Sequence, residues 1–333
     1  MNLEAFCKTE GRFGIINSEE AGVIDGINDA LLWGAMDYLR KEGFTWVEVP
    51  IMTKITGACE NVDTLYAVDH FGQEAYLAQT GQLYLEAKIP LHNKLWTIIT
   101  SSRAEDQADE RHLNQFQLIE LEHAGRLGDV LGHIEGTMKA MMRSALRERG
   151  NDLEELGRYE EMVGWVEEKF GCISYREAVD VLDGSAHAIR FGDDFSSEHE
   201  QYLVQEMGRK PLFITHFPKA IKFFNMRENR NDPQIVNSAD LVMPYSGESA
   251  GAAEREDDHD RLVTRLKESP MFRVLQTRGK TLDDFADYLE MVKKNPVLHS
   301  GCGIGFNRIS QSVLGSKDIQ TSTNYPIQCN VLY

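Results

Sequence analysis

The strand-forming runs of this chain fall in neighbouring groups and do not alternate regularly with helices. EAYLAQ (74–79), KLWTIITS (94–101) and FQLIELEHA (116–124) follow one another, and PLFITHF (211–217) is followed at once by IKFFNMR (221–227). Regular alternation would give a doubly wound parallel sheet; grouping predicts an antiparallel or mixed sheet flanked by helices, an α+β fold. Residues 19–42 place Ile24, Ile27, Leu31, Leu32, Ala35, Met36 and Leu39 at helical spacing, with Gly43 where a C-cap belongs. FTWVEVPIMT then reads as a strand with Thr45, Val47 and Val49 on one face, ended by Pro50. The stretch 129–182 is helix-rich. No internal repeat, low-complexity tract or linker interrupts the chain, so one domain over residues 1–333 with a helical insertion around 129–182 is expected.

Composition narrows the partners. Lys plus Arg number 35 against 53 Asp plus Glu, a formal charge of −18 that disfavours a polyanion unless basic residues gather on one face. No apolar run approaches the roughly 18 residues of a membrane helix, so no membrane association is expected. The first thirty residues carry Glu4, Glu10, Glu19 and Glu20 and lack the layout of a signal peptide, which predicts a cytoplasmic protein. The five cysteines (Cys7, Cys59, Cys172, Cys302, Cys329) show no C-x-x-C pair, and suggest neither a disulfide framework nor a zinc site.

Three segments carry candidate chemistry: SRAEDQADERHLNQF (102–116), GESAGAAERE (247–256) and HSGCGIGFNR (299–308). Taken singly, the first two read as charged loops and the third as a glycine run that does not match G-x-G-x-x-G. Their order is more informative. S-R-A-E followed by R-H-L-N-Q-F resembles motif 2 of the class II aminoacyl-tRNA synthetases, and HSGCGIGFNR resembles motif 3. The helix, strand and Pro50 are similar to motif 1, the dimer-forming element. FGQEAYLAQTGQLYLE (71–86), SYREAVDVL, FSSEHEQYL, FPKAIKFF and GESAGAAERE are similar to further blocks of that family, most closely in asparaginyl-tRNA synthetase.

The resemblance implies a homodimer and a set of roles. Arg103 would hold the α-phosphate of ATP and the substrate carboxylate, and Glu105 the adenine amino group. Arg111 and His112 would reach the outer phosphates, with Phe116 and Arg308 stacking on the two faces of adenine. Asp240 and Glu248 fall where the family binds Mg2+, a hard cation suited to carboxylates. Gln82 and Glu86 line the substrate strand, and Arg255 matches the position that recognises the side-chain carbonyl or carboxylate of the amino acid. Arg103 and Arg308 are the catalytic pair in this reading, and Arg103→Ala is expected to abolish adenylation.

Four departures from the family pattern shape the functional expectation. Motif 1 begins so near the amino terminus that no anticodon-binding domain is expected ahead of it, and the motif 2 loop reads DQADE, where Asp106, Asp109 and Glu110 would repel tRNA. Thr56 of T-G-A-C-E stands where the family has the glutamate that binds the α-ammonium; a substrate without a free α-ammonium, or compensation by Glu60, Glu120 or Glu122, would answer this. Asn307 replaces the acid of F-E-R, and the tail reads YPIQC for F-P-R-x-P. The expectation is an ATP-dependent, AMP-forming ligase that adenylates an aspartate- or asparagine-like carboxylate, free or in a peptide. It would pass the acyl group to ammonia or another nitrogen nucleophile, with tRNA an unlikely partner. The alternatives are a tRNA-charging asparaginyl-tRNA synthetase-like enzyme and a non-catalytic regulatory paralogue. Asp109→Ala is expected to matter little.

Overall fold

A computed structural model describes residues 1–8, 11–54 and 62–332. The strands among the described residues are β1 (Thr45–Trp46), β2 (Met52–Thr53), β3 (Ala67–His70), β4 (Gln73–Leu77), β5 (Lys94–Ser102), β6 (Gln115–His123), β7 (Gly171–Ser174), β8 (Leu212–Thr215), β9 (Ser238–Met243), β10 (Gly247–Glu254) and β11 (Ser300–Gly305). An eight-stranded sheet runs β1-β5-β6-β11-β10-β9-β8-β7, and a small sheet runs β2-β4-β3. The pairings are antiparallel except at the two edges of the large sheet, where β1–β5 and β7–β8 are parallel. This is the expected α+β architecture, a mostly antiparallel sheet flanked by helices.

Helix α1 (Glu19–Lys41) begins at Ser18, whose hydroxyl accepts from Ala21 N at 3.2 Å, and ends before Gly43 at φ +80°. Its apolar face meets α3 (Leu127–Glu148): Ile24, Ile27 and Leu31 join Ile134, Met138 and Met141 in one buried cluster with Leu121, Cys302 and Ile304 of the sheet. Gly34 permits the approach, because a Cβ there would stand 2.5 Å from the Ala140 carbonyl oxygen and 2.8 Å from Met141 Cα. Period-2 alternation does the rest. Ile119 and Leu121 of β6 and Cys302 and Ile304 of β11 face α1 and α3. Glu120 and Glu122, and opposite them Gly303 and Gly301, face the other side, where the cleft lies.

Four local expectations change. The 44–53 run is two short strands in different sheets, because Pro50 offers no N–H to continue the ladder. IKFFNMR is not a strand: Phe224 packs with Phe272 and Phe285, Met226 with Val236 and Ala253, and Lys222 enters the cleft, so its side chains follow no two-sided alternation. The 129–182 stretch holds helices Gly150–Glu155, Tyr159–Glu167 and Tyr175–Leu182 beyond α3, but also β7. GESAGAAE, read as part of a charged loop, and SGCGIG, read only as a glycine run, are the central strands β10 and β11. No helix among the described residues is long and apolar enough to cross a membrane.

Candidate active site

The cleft encloses about 1090 Å3, counting the part open to solvent, room for a nucleotide and a small second substrate. Gln82 enters from the first turn of α2 (Gln82–Glu86), Arg103 and Glu105 from the end of β5, and Arg111 and His112 from the loop before β6. Phe116 stands on β6, Asp240 on β9, Glu248 on β10, Arg255 just after β10, and Arg308 in helix Phe306–Leu314. Ten of the twelve residues singled out in the sequence thus line one cavity. Glu86 lies beneath its floor, and Thr56 lies outside the described residues.

At the outer end, cations are held by partners already in place. Arg111 Nη2 donates to Glu200 Oε2 at 3.0 Å, and the same carboxylate accepts from the Glu248 backbone N–H at 3.2 Å. Burial and then the nearby Glu248 raise the Glu200 pKa against the pull of Arg111. Arg308 donates to the carbonyl oxygens of Glu248 at 2.6 Å and Arg111 at 3.2 Å. The Arg103 guanidinium sits 5.1 Å from the centre of the Phe116 ring. Asp109 is the organiser of the motif 2 loop: its Oδ1 accepts from the N–H of Arg111 and of His112, both at 2.8 Å, and its Oδ2 meets His112 Nδ1 at 2.8 Å. Burial works against its charge, but these hydrogen bonds outweigh it and lower its pKa. Gln328 of the tail clamps the loop by donating to the carbonyls of Asp109 at 2.6 Å and His112 at 2.9 Å. Asn307 is occupied internally, accepting from Gln117 N at 3.0 Å and donating to Ser322 at 3.1 Å.

Midway, two acids converge over bare backbone: a Cβ added to Gly251 would stand 3.7 Å from both Asp240 Oδ1 and Glu248 Oε1. Lys222 Nζ lies 2.6 Å from Asp240 Oδ2. Burial pushes the Asp240 carboxyl up to about 7, with Lys222 opposing and Glu248 adding to the rise.

The floor is a buried ionic cluster. Arg255 Nη2 donates to Glu122 Oε1 at 3.0 Å, and its Nε lies 3.5 Å from Glu86 Oε1. The Tyr288 hydroxyl donates to Glu86 at 2.8 Å, the Asn225 amide nitrogen donates to the same carboxylate at 3.3 Å, and His299 Nε2 stands 3.6 Å from Glu86 and 4.0 Å from Glu122. Burial raises the Glu122 pKa. Burial opposes the charge on Glu86 too, but His299 and Arg255 outweigh it, so Glu86 carries the charge and Glu122 tends to hold the proton. Above them Glu120, 1% exposed, accepts from the Thr80 hydroxyl and from Gly81 N at 2.7 Å. Of the acids weighed as compensating for Thr56, Glu120 lines the cleft, Glu122 lies in the floor beneath Arg255, and Glu60 falls outside the described residues. Sequence reasoning gave no role to Lys222, Glu200, His299 or Tyr288. The first two were within reach, as the second lysine of FPKAIKFF and the last acid of SSEHE; no local pattern marks Tyr288.

The model of the class II tRNA synthetases (D, K and N) matches residues 26–328. Asparagine–tRNA ligase of Pyrococcus abyssi is 36% identical over 313 residues, covering 93% of this chain and 69% of that protein. The crystal structure of Pyrococcus horikoshii asparaginyl-tRNA synthetase with asparaginyl-adenylate superposes with a TM-score of 0.87 at 33% identity, over 97% of this chain and 72% of that one. Its Entamoeba histolytica counterpart, also with asparaginyl-adenylate, gives 0.82 at 26% identity over 96% and 70%. These relatives overturn two expectations, the tRNA-independent ligase and tRNA as an unlikely partner, since they are tRNA ligases and synthetases matched over nearly the whole of this chain. The physical error was to treat charge as a loop average: Asp109, counted as repelling a polyanion, is taken up by Arg111 and His112, while Arg103, Arg111, Lys222 and Arg308 gather in the cleft. The chain is thus an enzyme of the ATP-dependent amino-acid ligase type and belongs to the class II tRNA synthetases of the D, K and N group.

Proposed function

We propose that this enzyme activates asparagine with ATP and transfers it to tRNA. The observation that carries the reading is the meeting, in one cleft, of Arg103 and Arg111 for the phosphates and Phe116 and Arg308 for the base with a buried Glu86–Arg255 floor. Arg103 neutralises the asparagine carboxylate and the α-phosphate together, so that a carboxylate oxygen attacks phosphorus and the bond to pyrophosphate breaks. Arg111 and His112 take the outer phosphates. Glu105 accepts from the adenine amino group, and the base lies between Phe116 and Arg308. At the floor Arg255 donates to the side-chain carbonyl and Glu86 accepts from the amide nitrogen. Gln82 and Glu120 hold the α-ammonium, Glu120 supplying the charge absent at Thr56. A ribose hydroxyl at the tRNA end then attacks the activated carbonyl and AMP leaves.

Asp240 and Glu248 fit Mg2+: both are hard carboxylates converging on Gly251. Asp240 and Glu248 would hold the ion, which would neutralise charge on the leaving pyrophosphate. A homodimer through motif 1 is supported by apolar side chains exposed in that region, Trp33 (52%), Trp46 (56%) and Ile51 (60%). The test is ATP–pyrophosphate exchange with asparagine or aspartate, followed by charging of tRNA. Exchange that depends on asparagine, and labelled asparagine on tRNA with steep salt dependence, is expected. Exchange without asparagine preference, or none, overturns the proposal.

A further inference from the structure

Lys222 has no task in the chemistry above, yet it stands in the cleft. Its Nζ is 2.6 Å from Asp240 Oδ2, its side chain is 12% exposed, and its ammonium lies 4.0 Å from the centre of the Phe217 ring. A buried ion pair is weak evidence for stability, since desolvation offsets much of the attraction. This one joins a backbone segment beyond the turn Lys219–Ile221 to strand β9 at the point where Asp240 and Glu248 converge. Without a cation there, the buried Asp240 carboxylate would face the more exposed Glu248 across Gly251 with nothing to offset their repulsion. Lys222 is a point charge on a four-carbon stem, able to release Asp240 and stay within the cleft.

We infer that Lys222 is a resident cation that neutralises the Asp240–Glu248 pair in the nucleotide-free enzyme and gives up Asp240 to the divalent metal that arrives with ATP. The inference rests on the reading of these two acids as the metal ligands. It assigns Lys222 a positioning role, keeping the acids converged while suppressing metal capture by the free protein.

The experiment is a titration of the full chain with Mn2+, followed by electron paramagnetic resonance, without and with ATP. Lys222→Met removes the competitor, so its Kd for Mn2+ without ATP is expected to drop by about tenfold or more relative to wild type. Its metal-free melting temperature should fall and recover with Mn2+. Lys222→Gln, with a neutral polar end, is the second variant and should show the same gain. In an Asp240→Asn background the gain should vanish. Unchanged or weaker Mn2+ binding in both variants, or a gain that persists with Asp240→Asn, overturns the role of Lys222. Mn2+ binding with ATP but no gain in the variants overturns that role alone; absence of binding even with ATP removes the metal reading as well.

Discussion

Replacing Arg255 with methionine tests the cleft floor most severely. Arg255, Glu122 and Glu86 have side chains 2%, 0% and 1% exposed, so no solvent screens them. Methionine keeps most of the stem and removes the charge, leaving two buried carboxylates with His299 as their nearest cation. Breaking a buried pair by removing one partner costs about 3–5 kcal/mol, against a total stability of roughly 5–15 kcal/mol. Protonation is the relief. Burial already raises Glu122 and Arg255 is the largest force opposing it, while Glu86 stays low through His299 and Arg255 against burial. In the variant Glu122 moves further above its unfolded value of about 4.3, and Glu86 loses part of what holds it low. The folded state then binds more protons than the unfolded one, and stability is lost as pH rises. Urea unfolding at pH 5, 6.5 and 8 should therefore show a deficit of about 3–5 kcal/mol at pH 8 that shrinks to roughly half at pH 5. Glu122→Gln should recover about 1–2 kcal/mol in the Arg255→Met background and cost less than about 1 kcal/mol alone. A deficit below about 1 kcal/mol at pH 8, or one that grows toward pH 5, would refute the reasoning.

Three further outcomes follow from the same geometry. Asp109→Ala, expected from sequence to matter little, should raise the KM for ATP in pyrophosphate exchange by about tenfold with little change for asparagine, because a lost charge-assisted anchor for Arg111 and His112 is worth about 1.5–3 kcal/mol. Gly34→Ala should lower stability by up to about 2 kcal/mol, overpacking of about 1–3 kcal/mol offset by a helix-propensity gain of about 1 kcal/mol. Gly22→Ala in the same helix, with nothing within 4 Å of its Cβ, should stabilise; a thermal melt of each separates the two. His133 is held down to about 4 by burial and then by Lys94, so it stays neutral in the fold while the unfolded chain takes a proton below about 6.5. Stability should fall as pH drops from 6.5 toward 4, and His133→Gln should flatten that window in pH-resolved melts.

What the sequence revealed follows from how its elements are buried. Helix α1 was legible because one face is apolar and Ser18 and Gly43 mark its ends. β5 and β6 were legible because their apolar residues alternate or cluster over nine positions. β10 and β11 were not, because glycine, serine and alanine carry no strand propensity, although Cys302 and Ile304 do alternate with Gly301, Gly303 and Gly305. The same bare strands form the cleft wall, where small residues let a ligand approach the backbone, so the property that hid the fold is the one that makes the site. The roles carried by short ordered blocks point to residues that do meet in space, since ten of them line one cleft. Charge reasoning failed for the opposite cause. A formal total of −18 sums the whole surface, whereas a polyanion meets a local field, and the cations here are held in the cleft by acids that the sum had already counted against them. Arg111 on Glu200 and Lys222 on Asp240 contribute nothing to net charge as pairs, yet each keeps a cation in the cleft. A site for phosphates can thus be assembled inside an acidic protein, provided each cation enters with a partner.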